Sequence, residues 1–203
     1  RRKIACMKVF YNYLKYQNII EENPFNQLRF QFRTEKILPK TIPHDILKSI
    51  FIYLEQKVIV SKTDYQKQHA ERNLLIISLL LSTGIRISEL CHIHLKDINL
   101  SNKTLHIIGK GKKERILFLG DQKTFNLLET YINKTRNESN DFLFPGKHSL
   151  KPLSEQSVRL VIKRIVEQNN FSRTITPHMF RHSFATMLLD SDVDIRYIQQ
   201  ILG

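Results

Sequence analysis

An imidazole and a guanidinium stand three residues apart near the end of this chain, at His178 and Arg181. They lie in Thr176-Pro177-His178-Met179-Phe180-Arg181-His182-Ser183-Phe184-Ala185-Thr186. Its start reads as a helix N-terminus, with Thr176 suited to the N-cap and Pro177 to the first helical position. Residues three apart share a helix face. Phe180, Phe184, Met187 and Leu188 recur at the spacing of a buried face, which leaves His178, Arg181 and His182 on another. Backbone N–H groups at a helix start favour an anion. The set reads as a phosphate-recognition surface with a proton-transfer group attached. A His and an Arg at helical spacing are more often a solvated face, so this segment needs support from elsewhere.

Two upstream segments supply it. In Thr83-Gly84-Ile85-Arg86-Ile87-Ser88-Glu89-Leu90, Arg86 sits in a short joint between two helices, flanked by apolar residues. A buried arginine needs a partner, and Glu89 three residues on can hold it. For an isolated motif a structural Arg–Glu pair is the commoner outcome. Further on, Lys110 stands between Gly109 and Gly111, and glycines on both sides let a backbone approach a ligand closely. An ordinary basic, solvated turn would look the same. Lys112, Lys113 and Arg115 are better suited to nonspecific phosphate contacts than to chemistry.

Other groups carry less. Cys91-His92-x-His94 has metal-type residues at a spacing that fits no standard zinc pattern, so no metal site is expected. Gly109-Lys110-Gly111-Lys112 lacks both the spacing and the Lys-Ser/Thr ending of a phosphate-binding P-loop.

The elements that must position these residues can be read from periodicity. Residues 3–20 read as an amphipathic helix with Ile4, Met7, Phe10, Tyr11 and Leu14 on one side, ended by Glu22-Asn23-Pro24. Residues 28–40 are basic and read as a linker. Helices are expected over about 43–57 and 70–82, the second stopping at Gly84. Ser88 is expected to cap the next, with Leu90 and Ile93 facing inward. The period then changes. Thr104–Ile108 and Arg115–Leu119 flank the glycine-rich turn as a hairpin. Helical patterns return at about 121–135, 154–168, 176–190 and 194–202. The fold class is mainly α with a small antiparallel β-sheet.

Composition narrows the partner. The chain has 203 residues, a hydrophobic fraction of 41% and a net charge of +13. Nine of the basic residues and only three acidic ones fall in residues 1–40. Such an excess points to a polyanion, nucleic acid before an anionic membrane. Two cysteines give no disulfide framework, and a reducing cytoplasm fits. The longest apolar run, Leu74–Leu81, is interrupted by Ser78, so no membrane span is expected. The chain opens mid-pattern at Arg1 and stops at Gly203, as expected of a portion of a longer protein.

In this order and at these spacings the three segments resemble the tyrosine recombinase (phage integrase) family. Residues 83–90 look like that family's first arginine box, and residues 107–115 like its β-hairpin lysine. Residues 176–186 with 188–203 look like its His-x-x-Arg box and the helix after it. The spelling is most similar to Xer-like recombinases and mobile-element integrases. The resemblance covers about residues 38–203, a catalytic domain, and residues 1–28 resemble the last helix of a preceding core-binding domain, with 29–37 as linker.

The resemblance implies site-specific cutting and rejoining of double-stranded DNA through a covalent 3′-phosphotyrosine, by a bacterial, DNA-associated enzyme. Arg86 and Arg181 would clamp the scissile phosphate, and Lys110 would protonate the leaving 5′ oxygen. His178 would handle the tyrosine proton or support the phosphate. Glu89 would orient Arg86, and His182 would be a neighbour of the site. No metal, ATP or other cofactor follows from the scheme. A homo-tetramer on paired sites is implied for the full-length protein. Family members place the nucleophilic tyrosine after the point where this sequence stops, and Tyr197 and the other tyrosines do not match it. A non-catalytic DNA-binding regulator and a type IB topoisomerase remain alternatives, the latter disfavoured by the Xer-like spelling.

Overall fold

The structure is a computed structural model that describes residues 2–28, 40–109, 114–135, 141–146 and 151–203. The chain falls into two compact units, Arg1–Leu38 and Pro39–Gly203. The linker expected over 29–37 lies outside the described residues, as do Lys110, Lys112 and Lys113 at the hairpin tip.

In the first unit, helix α1 (Arg2–Tyr16) stops four residues short of the expected end. The turn comes early because Asn18 takes a left-handed φ of 55° and its N–H bonds to the Lys15 carbonyl. The segment after it folds back: the buried Asn23 donates from Nδ2 to Asn12 Oδ1 (2.6 Å) and the Lys8 carbonyl. Met7 and Phe10, expected on the apolar face, are exposed in this unit.

The second unit is built around one helix. Its elements in order are α2 (His44–Ile59), α3 (Asp64–Thr83), α4 (Ile87–Cys91), a 3-10 turn (Leu95–Asp97), β1 (Ile98–Asn99), β2 (Thr104–Ile108), β3 (Glu114–Phe118), α5 (Gln122–Thr135), α6 (Glu155–Gln168), α7 (Pro177–Asp190) and α8 (Ile195–Leu202). Leu75, Ile76, Ile77, Leu79 and Leu80 of α3 have no exposed surface. A helix apolar on all sides has to sit inside, and α2, α5 and α7 pack against it. It starts six residues earlier than expected because the Thr63 hydroxyl caps it, accepting from Gln66 N–H.

The sheet is a three-stranded antiparallel meander in the order β1-β2-β3. Ile98 faces Leu105, and Ile107 faces Arg115. Leu105, Ile107 and Leu117 point into the core while Ile108, Ile116 and Phe118 are exposed, the alternation of a half-buried sheet. β1, only two residues long, was absent from the sequence reading because so short a strand has no period to detect.

Gly84 ends α3 at φ +60°. A Cβ there would overlap Phe184 Cδ1 of α7 and come within 2.9 Å of Leu202 Cδ2 of α8. Left-handed backbone alone costs a non-glycine residue about 1–2 kcal/mol. Gly84→Ala should therefore lower unfolding stability by at least that amount in urea titration, and an unchanged midpoint would remove the close approach of α7.

Two expectations about local structure need correction. Ser88 does not cap α4; Arg86 is the N-cap residue, and the Glu89 carboxylate accepts its N–H at 3.0 Å. A carboxylate at the third helical position reaches back more favourably than the hydroxyl at the second. On α7 the buried stripe is Met179, Phe180, Ser183 and Phe184, whereas Met187 is exposed. Ser183 is buried because its Oγ accepts the Ile42 N–H at 2.8 Å. Thr176 holds the expected N-cap position of α7 without a side-chain cap bond, and Pro177 occupies the first turn.

Candidate phosphate site

Three arginines from three elements meet at one carboxylate. Arg86 comes from the α3–α4 joint, which Gly84 turns; Arg115 comes from β3 and Arg181 from the first turns of α7. Glu89 of α4 is their common partner or neighbour, with its side chain 5% exposed. Arg86 Nη1 donates to Glu89 Oε1 at 3.0 Å. Arg115 makes a bidentate pair, Nη1 to Oε1 at 3.0 Å and Nη2 to Oε2 at 2.6 Å.

The three guanidiniums also hold the end of α8. Arg115 Nε donates to the Ile201 carbonyl at 2.9 Å, Arg181 Nη2 to that of Leu202 at 2.6 Å, and Arg86 Nη2 to that of Gly203. Carbonyls at a helix C-terminus carry partial negative charge and lack helical partners, so they suit cations. Arg181 Nη1 ties back to the Gly84 carbonyl at 2.8 Å. The α3–α4 joint, the hairpin and α8 are thereby fixed to one point.

Three cations around one carboxylate leave uncompensated positive charge. Burial, and then the Arg86 charge with Glu89 opposing, pulls the Arg181 guanidinium down to about 10. It stays protonated at neutral pH and gains from an anion. Arg86 is the outward member, its side chain 37% exposed, and beside it a cavity of about 560 Å³ opens, lined also by Glu89, His92, His106 and Gly109. A planar fork of donors next to this cavity is suited to phosphate oxygens.

Burial pushes the Glu89 carboxyl up, but hydrogen bonds from Arg115 and Arg86 and the Arg115 charge outweigh it and hold the group below its ordinary 4.5. A depressed carboxyl binds its proton more readily in the unfolded chain. Its stabilisation is therefore complete above the ordinary value and is lost as pH falls through the lower folded value. Between about pH 6 and about pH 3 the wild type should lose more unfolding stability than Glu89→Gln. Parallel urea titrations check this, and equal losses would contradict the pairing.

The remaining expected residues are placed as follows. His178 is exposed on the first turn of α7, one turn before Arg181, and His182 is exposed next to it. Lys110 lies outside the described residues, but its chain neighbour Gly109 lines the cavity beside Arg86. Arg115, expected among the phosphate-contacting hairpin cations, instead points inward into the arginine cluster, with its side chain 11% exposed. Strand parity carried that signal: Arg115 is on the same side of β3 as the buried Leu117. The role of the α8 carbonyls was also missed, since backbone groups leave no mark in a sequence.

The cysteine–histidine group is structural. Burial, the main cause, pushes the Cys91 thiol up to about 12, His92 Nδ1 lies 2.7 Å from the Ser88 carbonyl, and His94 stacks on Phe142 at 4.5 Å. Among the described residues no His, Cys, Asp or Glu group is arranged to hold a metal ion, and no helix is long and apolar enough to cross a membrane.

Residues 52–203 match the phage integrase family. The chain is similar to a tyrosine recombinase of Agathobacter rectalis, 49% identical over 206 residues that take in all of this chain and 67% of the relative. It is similar to the tyrosine recombinase XerC of Bacillus subtilis, 32% identical over 209 residues, all of this chain and 65% of the relative. The chain thus spans about two thirds of the length of these relatives. Among solved structures it is similar to the XerH site-specific recombinase bound to difH substrate in a pre-cleavage complex, with TM-score 0.70 and 26% identity over 95% of this chain and 54% of that one. The arginine boxes at Arg86 and Arg181 both fall within the matched span, and the chain belongs to the phage integrase family.

Proposed function

We propose that the full-length protein is a site-specific DNA recombinase that cuts and rejoins duplex DNA through a covalent 3′-phosphotyrosine. The observation that carries this is the convergence of Arg86 and Arg181, distant in sequence, on one cluster with excess positive charge. In the reaction a tyrosine oxygen attacks the scissile phosphorus and the 5′ oxygen leaves. Arg86 and Arg181 stabilise the charge that builds on the phosphate oxygens, which is why no metal or ATP is called for. Lys110 gives the departing oxygen its proton, and His178 takes the tyrosine proton or supports the phosphate. Glu89 orients Arg86, and His182 supports the site. The phosphotyrosine keeps the bond energy for rejoining.

The nucleophile comes from outside these 203 residues. Tyr131 is buried and its hydroxyl is pushed up by that burial, while Tyr197 is exposed on α8, one turn before the carbonyls the arginines hold. In this reading residues 38–203 are the catalytic domain, 29–37 a linker and 1–28 the last helix of a core-binding domain. Four protomers work on paired sites in the bacterial cytoplasm, with Lys112 and Lys113 on the DNA backbone.

The 203-residue chain should itself bind duplex DNA mainly through phosphates. Each phosphate contact adds a slope of roughly −0.9 in log K against log salt. Fluorescence-anisotropy titration between low and moderate salt should show affinity falling steeply, with weak sequence preference. Affinity independent of salt would remove the nucleic-acid reading of the +13 charge.

A further inference from the structure

We propose that Arg115 is a positioning residue that keeps Glu89 from closing onto both Nη groups of Arg86, so that Arg86, held by Glu89 at Nη1 alone, keeps its remaining N–H donors for the phosphate. The inference rests on the recombinase reading above and assigns to a hairpin residue a part in the reaction that it performs without touching DNA.

Both side chains compete for one carboxylate. Arg115 takes both oxygens of Glu89 from within the fold, whereas Arg86 has a single side-chain bond to it and is more than three times as exposed. Arg115 spends Nε, Nη1 and Nη2 on protein acceptors, so its fork is committed. An arginine and a carboxylate left to themselves form a bidentate pair. Without Arg115, Glu89 would close onto the Arg86 fork, and the site would lose both that charge and the geometry that presents Arg86 to the cavity.

The Nε bond adds a second effect. Ile201, Leu202 and Gly203 offer three successive carbonyls, and each is held by a different arginine. Arg115 is the member that joins this run to the sheet, since its strand partner is Ile107 of β2. Strands β2 and β3 are thereby tied to the same run of carbonyls that Arg86 and Arg181 hold.

The test measures single-turnover strand cleavage and DNA affinity for the full-length protein and for Arg115→Met, Glu89→Gln and the double variant. Methionine keeps the apolar stem and removes the fork. Arg115→Met should cleave at saturating DNA roughly tenfold or more below wild type, the scale of coupling within one ion-pair network, with Kd within about twofold. The double variant should cleave faster than Arg115→Met, because a neutral glutamine no longer occupies Arg86. A merely structural Arg115 lowers the folded fraction, read as the unfolding midpoint, and leaves the cleavage rate of folded protein at saturating DNA unchanged. A double variant no faster than Arg115→Met, or normal cleavage by Arg115→Met, overturns the proposal. If Arg115→Met does not fold, Arg115→Lys with and without Glu89→Gln replaces it, and the same rescue or its absence decides. The wild-type full-length protein is run alongside on the same substrate, and no cleavage there would overturn the recombinase reading itself whatever Arg115 does.

Discussion

Arg181→Lys and Arg86→Lys should each lower DNA strand cleavage by at least the order of a hundredfold while leaving DNA affinity nearly intact. The size follows from removing one preorganised transition-state donor. Lysine keeps the charge, and with it most of the long-range attraction for DNA. What it loses is the planar fork. Arg181 uses Nη1 on the Gly84 carbonyl and Nη2 on that of Leu202, so it spans α3's end and α8's end at once. A lysine amine on a flexible stem cannot span both and still face a phosphate. Arg86 likewise divides its fork between Glu89 and the Gly203 carbonyl. Single-turnover cleavage of a nicked substrate, with binding measured separately, checks both. Near-normal cleavage in either variant would make that arginine structural.

The local parts of this architecture were legible because local rules set them. Gly84 closed α3 at the residue expected, and Thr104–Ile108 pairs antiparallel with Glu114–Phe118 as the hairpin reading required. Ser154 and Asp194 cap α6 and α8 at the starts that periodicity implied. The errors came where a nonlocal contact overrode a local preference. Ser88 looked like a cap, but Glu89 takes that place because the arginines already hold its carboxylate beside the Arg86 N–H. Met187 fitted the apolar spacing of α7, yet Ser183 is buried and bonded to Ile42, turning the buried stripe toward Met179.

The site was legible in its types and only partly in its geometry. Arg86, Glu89 and Arg181 stood out by type and spacing only as candidates, and their roles followed from the family resemblance of the segments that hold them. Arg115 could not be placed by charge alone, because a basic residue near a basic turn reads as solvated. Its inward position follows from strand parity together with a partner 26 positions away. The α8 carbonyls that gather all three guanidiniums are backbone groups and leave no trace in composition.

The largest expected contrast is between this chain and the full-length protein. In the proposed reading the cluster of Arg86, Arg115 and Arg181 around Glu89 would supply charge stabilisation and the nucleophile would come from elsewhere. In that reading none of the tyrosines in these 203 residues is the nucleophile. Covalent adduct formation should therefore be absent from the chain and present in the full-length protein. The guanidiniums take the role a divalent ion would otherwise have at the phosphate, so the adduct should form in EDTA.

The most direct measurement uses a nicked suicide substrate carrying the protein's own crossover site, incubated in EDTA and resolved on a denaturing gel. The full-length protein should give a shifted covalent protein–DNA band, and Tyr→Phe at its nucleophile should remove it. The 203-residue chain should give none. A shifted band from the chain alone would show that one of its own tyrosines attacks, and a full-length protein that cleaves only with added divalent metal would contradict the arginine-based site.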